Sequence, residues 1–395
     1  MMHSLRARLV RFLPSLLLGL ISLTVAVAFA EIAVRMVAPQ PREEITPGLY
    51  EADPPRRFRL QPGHEGTVSN LVEFQTSVSV DDRGLRRGTP EATSDDALRI
   101  VAIGDSFTFG WGVEGDEAFA ARIPAYLDRT GLDRAVTTLN GGVAGWGLPD
   151  MVDWLEAYGL ALEPDVVLLC IFLGNDLLDA TEVHRQIDMA EGLVAAAPRA
   201  GGYRQAVQRN LHVARLAKRA LPPGLQAKLR GMVGLAEPWA ITYLRDRLRM
   251  YANTPDALAA EGRQVSAEAL DRLLDLTTAR GIKVAAVFVP SQLEVDDDYW
   301  DAMMRAFEVD PTTHAQDVPA TFFATRLAYA EVPTLDLTPA FRDAHDAGQD
   351  LYFRYDPHWT VAGHELAAQE IGAFLDASGL LEPTAEPEIE AEGSI

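Results

Sequence analysis

Five short, largely apolar runs mark out the central part of the chain. They occupy residues 98–103, 136–139, 166–172, 284–289 and 334–337, and polar or glycine-rich turns follow them. Apolar runs without strict alternation are typical of strands that are buried on both faces of a parallel sheet. The pattern therefore predicts five parallel strands.

Helical patterns lie between these runs. The clearest are Asp116–Thr130, with Asp116 as N-cap and Gly131 at the C′ position, Ser266–Arg280 before Gly281, and a last helix over about residues 362–375. Alternating strands and helices predict an α/β fold, with a doubly wound, flavodoxin-like sheet between two helical layers. Ligands of such sheets bind beyond the carboxyl ends of the strands.

The N-terminus carries a long apolar stretch without charge, Phe12–Ala30, which follows Arg6, Arg8 and Arg11. Its length suits the hydrocarbon core of a bilayer, and the preceding arginines predict a cytoplasmic N-terminus and an exported remainder. We favour an uncleaved anchor within residues 1–36. The alternative is a signal peptide cleaved near Ala30, since Ala28-Phe29-Ala30 fits a small-x-small site.

The rest of the chain divides by composition. Residues 37–60 are rich in Pro, Arg and Glu and predict a linker, whereas residues 66–86 alternate like strands, so that 37–95 would hold a linker and a small β element. The main domain would span residues 96–378. Within it, residues 177–262 are too long for a simple crossover and predict a helical insertion, interrupted near Pro222. Residues 379–395 are acidic and predict a disordered tail.

Charge separates the insertion from the rest of the protein. The chain has 35 Lys and Arg against 57 Asp and Glu, a net charge of -22 that disfavours nucleic-acid binding. Residues 199–249, however, contain eleven basic and two acidic residues. They form either a solvated helical face or a surface for anionic lipid headgroups or an anionic substrate. The single cysteine, Cys170, excludes an internal disulfide framework and a cysteine-based zinc cluster.

A candidate nucleophile follows the first predicted strand, in Gly104-Asp105-Ser106. A serine needs a base to take its proton. The best candidate is His358, which follows the fifth strand and so lies at the same sheet edge. Asp356 stands two residues before it, and residues two apart in an extended segment point the same way. The Asp356 carboxylate could therefore orient the imidazole of His358, as in a Ser-His-Asp triad.

Two further strand ends offer donors for a tetrahedral oxyanion. Gly145 offers an unobstructed backbone N–H, and Asn175 offers a side-chain amide. The alternatives are a plain turn glycine at Gly145 and an Asx turn or helix cap at Asn175.

In this order the motifs resemble the SGNH (GDSL-type) hydrolase superfamily. Its blocks correspond to Gly104-Asp105-Ser106, Gly145, Gly174-Asn175-Asp176, and Asp356 with His358, over about residues 96–378. The resemblance implies a serine esterase or acyl-transfer site without metal or organic cofactor, in which Ser106 N–H, Gly145 N–H and the Asn175 amide bind the oxyanion. Most members have Asp-x-x-His. The shorter Asp-x-His-Trp is similar to that of bacterial polysaccharide O-acetyltransferases of the alginate-acetylation type.

Other aromatic and polar residues near these motifs have alternative interpretations. Trp111, Trp146 and Trp359 flank the motifs and either wall a pocket for a sugar or short acyl chain or pack around the sheet edge. The glycines of 110–115 lie too far from a strand end for a dinucleotide site, Asp296–Asp298 predict a solvated loop, and His364 is expected to be a bystander.

Together these patterns predict a membrane-anchored, extracytoplasmic serine esterase that cleaves a short-chain or acetyl O-acyl ester of a glycan or lipid. One alternative is an O-acetyltransferase that uses the same triad on a cell-envelope polysaccharide. Another is a non-catalytic envelope module that binds a partner.

Overall fold

A computed structural model describes residues 2–40, 44–89, 96–129, 134–185, 211–213, 216 and 239–382. The predictions for Gly131, for most of the insertion with its interruption near Pro222, and for the acidic tail beyond residue 382 lie outside these residues. Within them the strands are β1 (Glu44–Ile45), β2 (Tyr50–Ala52), β3 (Phe58–Leu60), β4 (Glu65–Ser69), β5 (Gln75–Ser79), β6 (Leu98–Ile103), β7 (Val136–Asn140), β8 (Val166–Phe172), β9 (Lys283–Val289) and β10 (Thr334–Asp336).

The helices of the same residues alternate with the later strands. They are α1 (Met2–Val37), α2 (Ser106–Phe109), α3 (Phe119–Leu127), α4 (Leu148–Ala157), α5 (Asp176–Asp179), α6 (Trp239–Arg249), α7 (Ala257–Thr278), α8 (Gln292–Val295), α9 (Asp297–Ala306), α10 (Val318–Tyr329), α11 (Thr338–Asp346) and α12 (Val361–Ala377).

The central sheet has five parallel strands in the order β10-β9-β8-β6-β7. Numbered along the chain, this is the 2-1-3-4-5 order of flavodoxin-like sheets. The predicted fold class is therefore confirmed, and each of the five apolar runs forms a strand of this sheet. All residues of β8 are buried, because helices cover both faces.

Two hydrophobic cores lie on the two faces of the sheet. One contains Trp146, Trp154 and Tyr251, and the other contains Phe107, Phe341 and Trp359. Helices α4 and α7 pack together on the first face, and α3 and α12 pack together on the second. Both cores reach the carboxyl edge of the sheet, so that they support this edge from both sides.

Two predicted helix starts differ from the structure. Asp116 does not cap a helix but lies in the 3₁₀ turn Gly115–Glu117, and α3 begins after Ala118. Glu114 and Glu117 form a capping box around that turn, which satisfies its first backbone donors. Helix α7 begins well before Ser266, because Asp256 caps it by accepting a hydrogen bond from Ala259 N at 3.0 Å.

A small β unit, residues 44–89, packs beside the sheet. Strands β1, β4 and β5 form an antiparallel sheet, and β2 and β3 form a hairpin. The β element predicted over residues 66–86 is thus present. Residues 44–60, which composition assigns to a linker, also form strands, since Phe58 and Leu60 are buried in the first core.

Helix α1 extends beyond the predicted apolar stretch. Residues Leu17–Val37 have a mean hydropathy of 2.3 and are almost entirely exposed, and among the described residues this is the helix long and apolar enough to cross a membrane. A helix of this length and composition is typical of a membrane anchor and equally of a signal sequence. Near its end, Glu31 accepts hydrogen bonds from the backbone N–H groups of His212 and Val213, at 2.9 and 2.8 Å.

Candidate active site

The structure brings together the three residues predicted as a triad. Ser106 begins α2 directly beyond β6, and its Oγ lies 2.7 Å from Nε2 of His358. The Nδ1 atom of His358 lies 2.5 Å from Oδ1 of Asp356. With Nδ1–H donating to the carboxylate, Nε2 is left to accept the serine proton, which is the arrangement that nucleophilic attack by serine requires.

The segment that carries Asp356 and His358 is held in shape by hydrogen bonds of its own. His358 N donates to Asp356 Oδ1 at 3.1 Å, and Phe353 N donates to the carbonyl of His358 at 3.0 Å. Burial opposes ionisation of Asp356, but the charge of His358 and the hydrogen bonds from its ring and backbone outweigh burial and lower the pKa of Asp356. The Asp356 carboxylate therefore ionises at a lower pH than a free aspartate does.

Asp105 is a residue of this site whose role the sequence did not reveal. Its Oδ1 accepts a hydrogen bond from Phe107 N at 2.9 Å, and it thereby caps the short helix that begins at Ser106. Its Oδ2 lies 3.3 Å from Ser106 Oγ, farther than His358 Nε2. Burial raises the pKa of Asp105 to about 6, and burial together with the charge of Asp105 raises that of the neighbouring Asp176.

Gly145 follows β7, next to the strand that carries Ser106. It adopts φ +83°, a left-handed conformation that favours glycine. Within the described part of the chain no group accepts a hydrogen bond from its N–H, whereas its carbonyl accepts one from Arg57 at 3.4 Å. The turn therefore leaves a backbone donor available to a ligand.

Asn175 follows β8, on the other side of β6. It precedes α5, but its side chain makes no cap hydrogen bond, so the helix-cap alternative does not apply. Its Nδ2 instead donates to Tyr243 Oη at 2.9 Å. Since β8, β6 and β7 are neighbours, Asn175, Ser106 and Gly145 follow three adjacent strand ends. The predicted oxyanion donors thus share one edge of the sheet.

The three tryptophans differ in their surroundings. Trp146 and Trp359 are 1% and 0% exposed. Trp146 Nε1 donates to Phe58 O at 3.1 Å, and Trp359 stacks on Phe341. Both are packing residues, and the pocket role considered for them is wrong, because buried rings present no face to a ligand. Trp111 is also buried, but its ring lies 6.0 Å from the His358 ring, where it shields one side of the imidazole.

The small β unit holds three loops of the site. Arg57 pairs with the buried Asp150 at 2.7 Å as it bonds to the Gly145 carbonyl. Glu73 accepts the hydrogen bond of Tyr355 N at 3.0 Å, directly before Asp356. The guanidinium of Arg86 donates to carbonyl oxygens in the turn that follows α2, namely those of Phe109, Gly110 and Val113. Sequence patterns did not indicate these contacts.

The remaining predicted bystanders have structural roles. His364 is fully buried, stacks on Phe119 and accepts a hydrogen bond from its N–H at 3.3 Å, and burial lowers its pKa to about 3. Asp296 does not belong to a solvated loop, because it caps α9 by accepting a hydrogen bond from Tyr299 N. Gly110, with φ +83°, ends α2. Among the described contacts, His364 and Asp296 make no hydrogen bond to Ser106 or His358, whereas the N–H of Gly110 donates to the carbonyl of Ser106 at 3.0 Å as it ends the helix.

Comparison with known proteins relates part of the chain to one family. Residues 247–392 match the family model of the SGNH hydrolase-like domain of the acetyltransferase AlgX. No curated protein matches the chain. Solved structures similar to it include LAE5, an α/β hydrolase enzyme from the metagenome of Lake Arreo, Spain. LAE5 is 16% identical, with a TM-score of 0.40 over 73% of this chain and 98% of that one.

Two further solved structures are similar to this chain. An Axe2 variant, an acetylxylan esterase from Geobacillus stearothermophilus, is 13% identical, with a TM-score of 0.40 over 70% of this chain and 94% of that one. TesA is 12% identical, with a TM-score of 0.37 over 72% of this chain and 100% of that one.

A serine, a histidine and a carboxylate joined by hydrogen bonds at the carboxyl edge of a flavodoxin-like sheet are typical of serine enzymes that act on acyl esters. The family match includes Asp356 and His358 and begins within α6. The predicted resemblance to the SGNH superfamily, and within it to acetyltransferases of the alginate type, is confirmed over residues 247–392.

Proposed function

We propose that this protein is a serine enzyme that acts on O-acyl esters through a covalent acyl intermediate on Ser106. The observation that carries the proposal is the continuous hydrogen-bonded chain from Ser106 Oγ through the His358 ring to Asp356, at 2.7 and 2.5 Å. Serine and histidine side chains on a protein surface are not ordinarily joined to a carboxylate in this way. A buried environment and an oriented tautomer are what a general base needs.

In the first step, Ser106 Oγ attacks the acyl carbon and its proton passes to Nε2 of His358. The new Oγ–C bond gives a tetrahedral oxyanion, which the N–H groups of Ser106 and Gly145 and the amide of Asn175 would stabilise. The bond to the alcohol then breaks, and His358 returns the proton to the leaving oxygen. Asp356 stabilises the imidazolium without taking its proton.

In the second step, an acceptor O–H attacks the acyl carbon and gives its proton to His358. The Oγ–C bond then breaks, and His358 returns the proton to Ser106 Oγ. With water as acceptor the protein is an esterase, as the motifs alone suggest. With a sugar hydroxyl as acceptor it is an O-acetyltransferase of a cell-envelope polysaccharide. The match of residues 247–392 to an acetyltransferase family favours this second candidate.

The experiment uses the full chain in detergent micelles, with p-nitrophenyl acetate as substrate and a fluorophosphonate as active-site label. We expect Ser106→Ala and His358→Ala to lower turnover by about a thousand-fold or more and Ser106→Ala to abolish labelling. Ser378→Ala and His345→Ala, which change the same residue types away from the site, serve as controls. Turnover that persists in Ser106→Ala would refute the proposal.

A second measurement separates transfer from hydrolysis. The acyl-enzyme is formed from p-nitrophenyl acetate in the presence and absence of an uncharged oligosaccharide, and the products are identified by mass spectrometry. An acetylated oligosaccharide that disappears in Ser106→Ala indicates transfer, whereas acetate alone at every acceptor concentration indicates hydrolysis. If cells that carry Ser106→Ala behave like wild-type cells and unlike cells that lack the protein, the protein is instead a binding module.

We further propose that α1 anchors the protein with the catalytic domain outside the cytoplasm. The apolar Leu17–Val37 segment and the arginines that precede the apolar stretch support this orientation. The basic insertion would then lie on anionic headgroups. Digestion of the catalytic domain by protease added outside intact spheroplasts, together with the mass of the mature N-terminus, tests orientation and cleavage.

A further inference from the structure

Tyr243 connects the predicted oxyanion donor Asn175 to a buried carboxylate. It lies on α6, the helix by which the chain returns from the insertion. Asn175 Nδ2 donates to Tyr243 Oη at 2.9 Å, and Tyr243 Oη lies 3.1 and 3.3 Å from the two carboxylate oxygens of Asp179. The amide, the hydroxyl and the carboxylate thus form one chain of hydrogen bonds.

The number of hydrogens fixes the direction of this chain. A tyrosine hydroxyl has one hydrogen, and an ionised carboxylate accepts hydrogen bonds but donates none. The hydroxyl of Tyr243 therefore donates to Asp179, and its oxygen can only accept from Asn175. It follows that the amide of Asn175 faces Tyr243 with its nitrogen and not with its oxygen.

The orientation matters because an amide nitrogen has two hydrogens and the amide oxygen has none. With one N–H bonded to Tyr243, the second remains for a ligand. The side chain of Asn175 does not cap α5, so no helix terminus competes for it. A rotated amide would present its oxygen instead, and an acceptor would repel a developing oxyanion.

Helix α6 holds the same turn at a second point. Arg247, one helical turn beyond Tyr243, donates from Nε to the carbonyl of Gly174 at 2.8 Å, and its guanidinium is buried near the Phe172 ring. The backbone of Gly174 and the side chain of Asn175 are therefore both fixed by one helix. This leaves the amide little freedom to move as the acyl oxygen approaches.

From these contacts we propose that Tyr243, itself oriented by Asp179, is a positioning residue of the oxyanion hole that holds an N–H of Asn175 toward the substrate. The inference rests on the proposed function, since it assigns a role within the acyl-ester site. It also connects the helix that leaves the basic insertion to the chemistry at Ser106.

The test is hydrolysis of p-nitrophenyl acetate by the full chain in detergent micelles. Tyr243→Phe keeps the ring and removes the hydroxyl, and we expect kcat to fall about 10- to 100-fold while KM changes less than about twofold, because only the transition state has lost stabilisation. Asn175→Ala should lower kcat by about 100- to 1,000-fold. Added to Asn175→Ala, Tyr243→Phe should have no further effect, since no amide remains to be oriented.

A transition-state readout separates positioning from general loosening of the fold. The affinity for a trifluoromethyl ketone, which forms a tetrahedral adduct with serine, should fall in Tyr243→Phe by the same factor as kcat/KM. Tyr158→Phe is the matched control. The Tyr158 hydroxyl also donates to an aspartate, Asp53 at 2.9 Å, and accepts from Arg56, but it does not contact Asn175. It should keep wild-type kcat.

Three results would overturn the inference. They are wild-type kcat in Tyr243→Phe, an equal multiplicative fall in the Asn175→Ala background, and an equal fall in the Tyr158→Phe control. If Tyr243→Phe does not fold, Asp179→Ala replaces it. Alanine removes the acceptor of the Tyr243 hydroxyl and leaves its hydrogen free to turn toward Asn175, so the same fall in kcat is expected and wild-type kcat refutes the role. Activity that survives Ser106→Ala would instead refute the proposed function itself.

Discussion

Asp105→Asn is expected to stabilise the protein above neutral pH. Asp105 is 2% exposed, and its carboxylate accepts a hydrogen bond from Phe107 N and lies 3.3 Å from Ser106 Oγ, without a cation in contact among the described residues. Burial raises its pKa from 3.8 to about 6. The amide side chain of the variant would keep an oxygen for Phe107 N and remove the buried charge.

The size and sign of the effect follow from linkage. Below pH of about 4 the aspartate is protonated in both the folded and the unfolded state, and its burial then carries no charge penalty. As the pH rises from about 4 through about 6, the unfolded state ionises first and stability is lost. A shift of about two pKa units corresponds to about 3 kcal/mol of unfolding free energy. The Asp105→Asn variant should recover about this amount at pH 8 and almost none of it at pH 4.

The assay is thermal unfolding of the full chain in detergent between pH 4 and 8. We expect the variant to unfold about 5 °C above the wild type at pH 8 and at nearly the same temperature at pH 4. Asp346→Asn, which removes a charge from an exposed position, controls for the change in net charge. Parallel curves for Asp105→Asn and wild type over the whole pH range would refute the assignment of a buried charge penalty to Asp105.

Other variants test the contacts that position the site. Asp356→Asn should lower kcat for p-nitrophenyl acetate by about 1,000- to 10,000-fold, because an amide does not hold the productive tautomer of His358; a loss below tenfold would contradict the triad. Glu73→Ala removes the acceptor of Tyr355 N and should lower kcat by about tenfold, whereas Glu44→Ala, on the exposed end of the same β unit, should not. Arg57→Met leaves Asp150 without its closest cation and should lower the unfolding free energy by about 3 kcal/mol in denaturant titrations; an unchanged midpoint would show that Arg185 suffices.

The sheet could be predicted from the sequence because its strands need no partner to be recognised. The segment Val166–Phe172 is apolar over its whole length, Leu98–Ile103 is apolar except for Arg99, and both begin and end where the pattern places them. Helix starts were harder, because they depend on local caps. Asp116 has the right residue type for a cap, but the capping box of Glu114 and Glu117 occupies that turn. Asp256, a real cap, lies in a polar stretch with no distinctive pattern.

The site divides in the same way. Ser106, Asp356 and His358 belong to short motifs in which residue type and spacing already carry the chemistry. Tyr243 lies 68 residues from Asn175 along the chain, within the predicted insertion, and no local pattern relates the two. Asp105 lay within a recognised motif, but its burial, and with it the raised pKa, becomes visible only when the residues around it are in place.

The parts of the chain that hold the active site adjoin the segments proposed to face the membrane. The β unit follows α1 and fixes the Gly145 turn through Arg57 and the Asp356 segment through Glu73. Helix α6 forms the end of the basic stretch 199–249 and fixes Asn175. The domain boundary predicted at residue 96 therefore separates the loops of Gly145 and Asp356 from the β unit whose side chains hold them. A shift in the position of the β unit or of α6 would displace the proposed oxyanion donors and the His358 segment directly. The site therefore depends on the β unit and α6 as well as on the sheet.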